Sequence, residues 1–235
     1  MKKPKILFFT GAGISAESGI QTFRDSKDGL WENYKIEEVC TPEAWRNNPS
    51  LVLDFYNLRR RNCKAANPNL AHKLIARLEK QYEVVVVTQN VDDLHERAGS
   101  SNVIHLHGEL MKVRSTNDAN LIYNWEQDVK LGDVCENQSQ LRPHIVWFGE
   151  NLDTDLLDYA IKEAVTCSIC IVVGTSLQVY PANSLPHYVP FASQMIVIDP
   201  KAKEMEIDED RSIFYLSEKA TDGMQKVYDS LGKLT

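Results

Sequence analysis

Several features of secreted, membrane-spanning and nucleic-acid-binding proteins are missing from this sequence. Its five cysteines are an odd number at irregular spacing, unlike a disulfide framework, so we expect reduced thiols. The apolar run after Lys5 ends at Thr10, which is too short for a membrane span or the core of a signal peptide. With 26 basic and 33 acidic residues, the net charge of −7 argues against binding nucleic acid through overall charge. We therefore expect a cytoplasmic protein with no membrane or nucleic-acid partner.

What is present is a chain of 235 residues with 43% apolar residues, enough to bury a sizeable core. Short unbroken apolar runs, typical of strands covered on both faces, occupy residues 6–9, 84–87, 103–106, 169–173 and 195–198. Helical patterns of apolar residues lie between them, for instance behind Asp153. Strands that alternate with amphipathic helices predict an α/β fold with a parallel sheet.

Two stretches interrupt this alternation. Residues 27–66 carry helix signals without a convincing buried strand, and residues 109–143 are polar with few hydrophobic anchors. Both are predicted to be insertions that together build a small lobe. The rest of the single domain, which spans residues 1–235, is then a core made of residues 1–26, 67–108 and 144–235.

A glycine-rich turn follows the first predicted strand. Residues 11–16, Gly-Ala-Gly-Ile-Ser-Ala, match a dinucleotide-binding pattern in which glycines permit a tight turn and let backbone amides reach a pyrophosphate. An ordinary strand-to-helix turn is the alternative. A simple dehydrogenase would carry an acid about 20 residues later at the end of its second strand. Glu32 instead lies in the first insertion, so the turn indicates a Rossmann-like dinucleotide site but not ordinary hydride transfer.

Five motifs in one order make the sequence similar to the sirtuin family. They are GAGISAESGIQTFR at 11–24, TQNVD at 88–92, LHG at 106–108, FGE at 148–150 and GTS at 174–176. The similarity extends from residue 6 to about residue 200. The segment Phe-Tyr-Asn-Leu-Arg at 55–59 resembles the Y-x-x-R pattern of the branch that contains bacterial deacylases and the mitochondrial desuccinylase. The resemblance implies an NAD-dependent protein-lysine deacylase, acting as deacetylase, desuccinylase or both, that releases nicotinamide and O-acyl-ADP-ribose.

The general base is expected among the histidines, because imidazole titrates near neutral pH. His105 and His107 share a face if their strand is regular, so periodicity does not choose between them. The sirtuin pattern implies that His107 is the base and that Asn90 binds the ribose and the reaction water. A structural role is the expectation for the other histidines, which are His72, His95, His105, His144 and His187.

The resemblance also implies a set of cofactor-binding residues at the ends of several strands. It matches Asp92 to the nicotinamide carboxamide, and Phe23 and Arg24 to the cofactor loop. Without the resemblance, the polar residues at 89–92 could equally be loop polars and a helix cap. Asp199 stands where many sirtuins have asparagine, so its contact with the adenosine ribose stays open. The full set is Gly11, Ala12, Gly13, Phe23, Arg24, Gln89, Asn90, Asp92, Gly174, Thr175, Ser176 and Asp199.

Tyr56 and Arg59 are the candidates for binding the acyl group. Their i, i+3 spacing on a predicted helix lets both side chains point the same way. Under the resemblance they would clamp the carboxylate of a succinylated lysine, whereas by itself Arg59 could belong to a solvated basic run. Cys40 stands where the branch usually has alanine, which would narrow the acyl pocket slightly. For the substrate peptide, the resemblance implies strand-like pairing near residues 148–150 and 179–181, with Val146, Phe148 and Gly149 as binding residues.

Zinc is the largest departure from the family. Most sirtuins place two C-x-x-C pairs between the His-Gly and Phe-Gly-Glu motifs, but residues 109–146 contain only Cys135. One thiolate does not replace a four-thiolate site, so we expect no zinc. Cys167 and Cys170 are predicted to be small core residues. Packing of Leu121, Ile122, Tyr123 and Trp125 is then expected to hold the small lobe together.

Two other functions would use the same cofactor site. One is a sirtuin-like ADP-ribosyltransferase or NAD hydrolase, and the other, more distant, is a non-catalytic NAD sensor. Nicotinamide release that depends on acyl-lysine would distinguish a deacylase from the transferase or hydrolase. Turnover of any kind would exclude the sensor. The expected partner is the acylated lysine side chain of a protein.

Overall fold

The structure, a computed structural model, describes residues 3–21, 34–205, 207–208 and 210–232. Its strands are β1 (Lys5–Thr10), β2 (Glu83–Thr88), β3 (Val103–His105), β4 (Gly108–Ser115), β5 (Ile122–Asn124), β6 (Leu141–Ile145), β7 (Ile169–Val173), β8 (Gln194–Ile198) and β9 (Ile213–Leu216). Its helices are α1 (Gly13–Ala16), α2 (Ile36–Val39), α3 (Pro42–Asn47), α4 (Pro49–Ala65), α5 (Leu70–Leu78), α6 (Leu94–Ala98), α7 (Thr154–Ala164) and α8 (Ala220–Gly232). Short 3₁₀ helices cover Ala182–Tyr188 and Ala202–Glu204.

Six parallel strands form the central sheet in the spatial order β3, β2, β1, β7, β8, β9. Numbered along the chain within this sheet, the order is 3-2-1-4-5-6, which is that of a Rossmann fold. The predicted fold class is therefore confirmed. The five predicted apolar runs are all strands, and β9 is an additional edge strand that the sequence pattern did not indicate.

Apolar layers cover both faces of the central strands. Ile6 and Phe8 of β1 pack on the face covered by α5 and α8, whereas Leu7 and Phe9 pack on the face covered by α7 and the first 3₁₀ helix. All four side chains are fully buried. Because successive residues of a strand point to opposite faces, a sheet covered on both sides needs unbroken apolar runs. This packing fixes the position of the loops at the strand ends.

The second sheet is antiparallel, with strands in the order β5, β4, β6. The side-chain amide of Asn57 on α4 donates to the carbonyl of Val129 and accepts its N–H, both at 2.8 Å. Arg60 Nε donates to the carbonyl of Leu110 at 2.8 Å. These buried bonds join α4, within the first predicted insertion, to residues of the second. The division into a core and a small lobe stays a prediction.

Three of the four residues predicted to anchor the small lobe pack as expected, and one does not. Leu121, Tyr123 and Trp125 pack against a buried cluster formed by Leu53, Val113, Val129, Cys135 and Leu141. Ile122 does not join the cluster, because its side chain is 43% exposed. Ile122 and Tyr123 are neighbours on edge strand β5 and point to opposite faces, so only one of them can face inward.

Cys167 and Cys170 are buried within the apolar layer beneath α7, as predicted for core residues. None of the helices in the described part of the chain is both long and apolar enough to cross a membrane.

Candidate active site

The carboxyl ends of the parallel strands bring the predicted cofactor residues to one edge of the sheet. Thr10 and Thr88, the last residues of β1 and β2, are partners in the strand register, and Val173 ends β7 beside Thr10. The order of the strands reverses between β1 and β7, which is where open α/β sheets bind ligands. The segments that follow these three strands are residues 11–13, 89–92 and 174–176.

Gly11 and Gly13 pack tightly against the loop after β7. A Cβ atom on Gly11 would lie 2.6 Å from Thr175 Cβ, and one on Gly13 would lie 2.7 Å from Gly174 Cα. The N–H of Gly11 donates to the Val173 carbonyl at 3.1 Å, and that of Gly13 donates to the Gly174 carbonyl at 2.8 Å. Close packing between the two loops therefore explains these glycines, and both N–H groups donate within the protein. Ala12 lies between them and precedes α1.

Asn90 and Asp92 are joined through the hydroxyl of Ser15. Asn90 Nδ2 donates to Ser15 Oγ at 3.1 Å, and Ser15 Oγ donates to Asp92 Oδ2 at 3.0 Å. The other carboxylate oxygen of Asp92 accepts the N–H of Leu94 at 3.2 Å. Burial raises the pKa of Asp92, opposed by the bonds from Leu94 and Ser15. The three polar side chains thus form one buried unit beneath the sheet edge.

His107 is half-buried, and its side chain makes one hydrogen bond to the described residues. Its Nδ1 lies 3.0 Å from the carbonyl oxygen of Gln89, which can only accept, so Nδ1 carries the proton. No described residue makes a hydrogen bond to Nε2, whose lone pair is then available. Burial lowers the pKa of His107, although the bond to Gln89 opposes this. A neutral imidazole with a free Nε2 is the state that a general base requires.

His105 lies in a different environment, which resolves the ambiguity between the two histidines. Strand β3 ends at His105, so the regular alternation to His107 does not hold. His105 is buried, and both ring nitrogens are occupied: Nδ1 donates to the Asn90 carbonyl at 2.9 Å, and Nε2 lies 2.7 Å from Glu96 Oε1. Burial lowers the pKa of His105, but the hydrogen bond and charge of Glu96 outweigh it and the pKa is raised. His105 is therefore not available as a base.

The remaining predicted cofactor residues lie on both sides of β7. Gln89 Nε2 donates to Thr175 Oγ1 at 2.8 Å, which links the ends of β2 and β7. Ser176 follows and is half-buried. Asp199 directly follows β8, and its Oδ1 accepts the N–H of Lys201 at 2.8 Å. The carboxylate of Asp199 thus shapes the turn after β8 at the same edge of the sheet. Phe23 and Arg24 lie outside the described residues.

Tyr56 on α4 is fully buried, and its hydroxyl is fully used by the protein. The hydroxyl donates to Cys40 Sγ at 3.3 Å and accepts the indole N–H of Trp147 at 3.0 Å. Burial raises the pKa of Tyr56 well above its usual value. The guanidinium of Arg59, one turn further along α4, is half-buried and lies 5.8 Å from the ring centroid of Phe55 and 5.9 Å from that of Tyr56. The structure thus brings Tyr56, Arg59 and Cys40 together.

The segment after β6 borders this group. The N–H of Val146 donates to the His107 carbonyl, and the N–H of Phe148 donates to the Cys40 carbonyl, both at 3.0 Å. Phe148 is 47% exposed, and Gly149 adopts φ +87°, a value that favours glycine. This segment is thereby joined both to the loop of the candidate base and to the group around Tyr56.

A partly buried ion cluster fixes the end of the same segment. The Glu150 carboxylate accepts two hydrogen bonds from Arg142, at 2.7 and 2.9 Å, and one from Arg114 at 3.1 Å. One of its oxygens also accepts the N–H of Trp147 at 2.9 Å, and the Arg142 guanidinium lies 3.4 Å from the Trp147 ring centroid. These contacts set the path of residues 147–150.

Comparison with known proteins decides the family. A family model described as "Sir2 family" matches residues 11–181. The chain belongs to the Sir2 family. It is 52% identical over 226 residues to a Helicobacter pylori protein named NAD-dependent protein deacylase, covering 96% of each chain. The resemblance to sirtuins is confirmed.

Two solved Sir2 structures have the same fold. A complex of a Sir2 homologue with NAD has a TM-score of 0.87 and 41% identity, covering 99% of this chain and 91% of the other. A Sir2 mutant with a deacetylated p53 peptide and 3′-O-acetyl ADP-ribose has a TM-score of 0.79 and 32% identity, covering 98% and 94% of the two chains.

Within this Sir2 chain, the described residues contain no group of three or more histidine, cysteine or acidic side chains that could hold a metal ion. Cys135 is buried and donates from Sγ to Ser115 Oγ at 3.4 Å. The thiol thus takes part in the packing of the small sheet. The expected absence of zinc stays a prediction.

Sequence reasoning missed three residues that shape this Sir2 site. Ser15 lies within the glycine motif, but only its contacts show that it joins Asn90 to Asp92. Trp147 and Arg142 hold the segment that contains Phe148. The signal for Trp147 was its place beside the FGE motif, whereas nothing local marks Arg142, since its partner Glu150 is eight residues away.

Proposed function

We propose that this Sir2 protein is an NAD-dependent protein-lysine deacylase that releases nicotinamide and O-acyl-ADP-ribose. The observation that carries the proposal is the geometry of His107, whose Nδ1 donates to the Gln89 carbonyl while no described residue makes a hydrogen bond to Nε2. Two comparisons support it, since the Helicobacter pylori relative is named for this activity and a neighbour of the same fold contains NAD. The acylated lysine of a protein is then the second substrate.

The residues at the sheet edge suit a dinucleotide. Amide, hydroxyl and carboxylate groups of Gln89, Asn90, Ser176 and Asp199 stand at the carboxyl ends of adjacent strands, where ribose hydroxyls and a carboxamide would find both donors and acceptors. When bound, NAD would supply a ribose whose bond to nicotinamide is exchanged for a bond to the acyl oxygen. We assign Gly11–Gly13, Gln89, Asn90, Asp92, Gly174–Ser176 and Asp199 to this cofactor, together with Phe23 and Arg24.

His107 would take the proton of a ribose hydroxyl at Nε2. The Gln89 carbonyl keeps the ring in the required tautomer, and burial keeps the imidazole neutral near pH 7. Asn90 would place its side-chain oxygen toward the ribose, because its Nδ2 is held by Ser15. Asp92 would act on the carboxamide from its buried position. Hydrogen bonds within the protein thus orient the side chains of His107, Asn90 and Asp92.

For the substrate we assign the acyl group to the region of Tyr56 and Arg59 and the peptide backbone to residues 146–149. The Tyr56 hydroxyl already donates to Cys40, so Arg59 would be the main partner of an acidic acyl group. Val146, Phe148 and Gly149 form a partly exposed segment that borders His107. This arrangement is compatible with both acetyl- and succinyl-lysine.

The test is nicotinamide release from NAD with acetyl-, succinyl- and longer acyl-lysine peptides. We expect release that requires an acyl peptide and leaves the free lysine as product. Release at an equal rate without peptide would indicate an NAD hydrolase, and no release with any peptide would contradict an enzyme.

His107→Ala is predicted to remove this activity without loss of fold. Loss of a positioned general base costs about 10²–10⁴ in rate. Because His107 is half-buried and makes one hydrogen bond to the described residues, from Nδ1 to the Gln89 carbonyl, thermal unfolding should change by little more than the loss of that bond. His187→Ala is the control, since His187 is exposed. Wild-type turnover in His107→Ala would reject the assignment.

A further inference from the structure

His105 and His107 hold two consecutive peptide units of the same loop. His107 Nδ1 donates to the carbonyl of Gln89 at 3.0 Å, and His105 Nδ1 donates to the carbonyl of Asn90 at 2.9 Å. The backbone carbonyl of the proposed ribose ligand Asn90 is therefore held by a histidine that itself cannot reach the substrate, because it is buried.

Asn90 is held at two further points. Its N–H donates to Thr88 Oγ1 at 3.0 Å, and its side-chain Nδ2 donates to Ser15 Oγ at 3.1 Å. The bond from His105 is the third restraint and the only one of the three that comes from an ionisable group. A change at His105 would thus alter the orientation of the Asn90 peptide while the other two restraints remain.

Glu96 orients the His105 ring from its far side. Glu96 Oε1 lies 2.7 Å from Nε2, and the Asn90 carbonyl lies 2.9 Å from Nδ1. Both partners are acceptors, and only the charged imidazolium donates from both nitrogens. A neutral His105 has one N–H, so one of the two acceptors would face a lone pair. The geometry therefore fits a charged ring.

We propose that His105 and Glu96 are a pair of positioning residues that hold Asn90 in its reactive orientation for deacylation. The proposal rests on the proposed function, because it assigns Asn90 to the ribose. It predicts that losing the Nδ1 donor lowers kcat, since substrate-binding groups remain and only the alignment of Asn90 is lost.

The first test compares His105→Leu with His105→Asn on an acetyl-lysine peptide. The leucine has no donor, so we expect kcat to fall about tenfold, the effect of one lost hydrogen bond. The KM values for NAD and peptide should stay within about twofold. Asparagine places its Nδ2 near the position of the ring Nδ1 and should restore most of kcat. His187→Leu, at an exposed histidine, is the matched control and should match wild type.

The contrary outcomes are distinct. Equal kcat losses in His105→Leu and His105→Asn, with equal falls in melting temperature, would show that the ring serves packing alone. Wild-type kcat in His105→Leu would show that Asn90 needs no support from this side. Either result overturns the proposal while leaving the deacylase assignment intact.

A second test uses pH, because the pKa of His105 is raised whereas that of His107 is lowered. The ionisable groups around His105 are Glu96 and His95 on α6, Asp92 in the preceding loop and Glu109 on β4. Burial lowers the pKa of His105, but the contact with Glu96 outweighs this effect, so the pKa is raised. The ring loses its charge as the pH rises through that pKa. Activity should then fall on the alkaline side.

Glu96→Gln separates the alkaline limb of the kcat–pH profile, which we assign to His105, from the acid limb, which we assign to His107. Without the carboxylate, the pKa of His105 drops, so the alkaline limb of kcat should move to lower pH. The acid limb should stay in place, since Glu96 does not contribute to the pKa of His107. A Glu96→Gln profile that superimposes on the wild-type profile would overturn the role of the pair.

The protonation of the two histidines can also be measured directly, without an activity assay. In protein with ¹⁵N-labelled histidine, NMR at neutral pH should show both nitrogens of His105 protonated and only Nδ1 of His107 protonated. Assignment of the signals uses His105→Leu and His107→Ala. A neutral His105 at pH 7 would contradict the paired geometry whatever the activity.

Discussion

The guanidinium of Arg59 stands beside the rings of Phe55 and Tyr56 at a half-buried position. Burial raises the pKa of the neighbouring Cys40 thiol, and the Tyr56 hydrogen bond and the charge of Arg59 oppose this rise only in part. Among the residues assigned to the acyl group it carries the positive charge. An acidic acyl chain would therefore depend on Arg59, whereas a neutral acetyl group would not.

Arg59→Met is predicted to impair desuccinylation much more than deacetylation. A lost charged hydrogen bond is worth about 1.5–3 kcal/mol, which shifts the ratio of kcat/KM for succinyl and acetyl peptides by about tenfold or more. Arg61→Met is the control, because Arg61 is exposed and pairs with Asp128. Equal losses on both peptides would mean that Arg59 supports the helix or the surface charge.

Substitutions at Cys40 and Tyr56 test the hydrogen bond between these two side chains. If the Cys40 thiol narrows the acyl pocket, or keeps the Tyr56 hydroxyl from donating to the substrate, Cys40→Ala should raise kcat/KM for the succinyl-lysine peptide. Tyr56→Phe should lower the succinyl-to-acetyl ratio less than Arg59→Met does, because it removes a neutral donor that already points at sulfur.

At the scale of elements, the turn after β7 and the glycine turn after β1 depend on each other. Gly174 has φ +61°, and an added Cβ would lie 2.4 Å from the backbone nitrogen of Ile14. A side chain at this position would therefore be strained in its own conformation and would push the start of α1 away from β7.

Gly174→Ala is predicted to destabilise the protein more than Gly132→Ala. Gly132 also has positive φ, +96°, but has open space around it, so its substitution costs only backbone strain of about 1–2 kcal/mol. Gly174→Ala adds a clash worth about 1–3 kcal/mol more. Urea unfolding of both variants measures the difference, and NAD affinity should fall only in Gly174→Ala. Equal stabilities would contradict the close contact between the two turns.

At the scale of the whole molecule, α4 is joined to the second predicted insertion by packing and by hydrogen bonds between side chain and main chain. Asn57 binds both polar groups of the Val129 peptide, and Cys135 is part of the apolar cluster beneath the small sheet. These contacts connect α4 to the second predicted insertion.

We predict that the purified protein contains no stoichiometric zinc and keeps its activity in strong chelator. Elemental analysis and a deacylation assay before and after chelation are the measurements. One tightly bound zinc per chain, removed together with activity, would contradict this prediction.

Stability should depend on pH through buried imidazoles. Burial lowers the pKa of His72 to about 4 and that of His95, whose ring contacts it edge-on, well below the usual value. The unfolded chain binds protons at these sites near pH 6.5, before the folded protein does, so stability is lost as pH falls below 6.5. For His72 alone the loss would be about 3 kcal/mol by pH 4.

His72→Leu measures this contribution. The free energy of unfolding of the variant, from denaturant titrations between pH 7 and pH 4, should fall less steeply than that of the wild type. The difference between the two curves is the contribution of His72, because the carboxylates are common to both. Parallel curves would mean that His72 takes up a proton in the folded state without penalty.

Much of the fold was predictable because its signals are local. The five unbroken apolar runs are all strands, since burial on both faces requires that pattern, and the glycine turn follows β1 where the pattern places it. The edge strand β9 was missed although Ile213–Leu216 is itself an apolar run; its edge position shows in the structure, where Phe214 is 71% exposed. Ile122 was misjudged because strand register, not hydrophobicity, decides which side chain faces inward.

By itself, the sequence determined that this is a parallel α/β protein with sirtuin motifs in order and with one cysteine where two pairs are usual. Only the tertiary structure decided which of His105 and His107 has a ring nitrogen with no hydrogen bond to the described residues, that the Tyr56 hydroxyl donates a hydrogen bond to Cys40, and that the glycine amides join two turns. The physical reason is that motif residues are neighbours along the chain, whereas the protonation and hydrogen bonding of a side chain depend on partners that folding brings from distant segments.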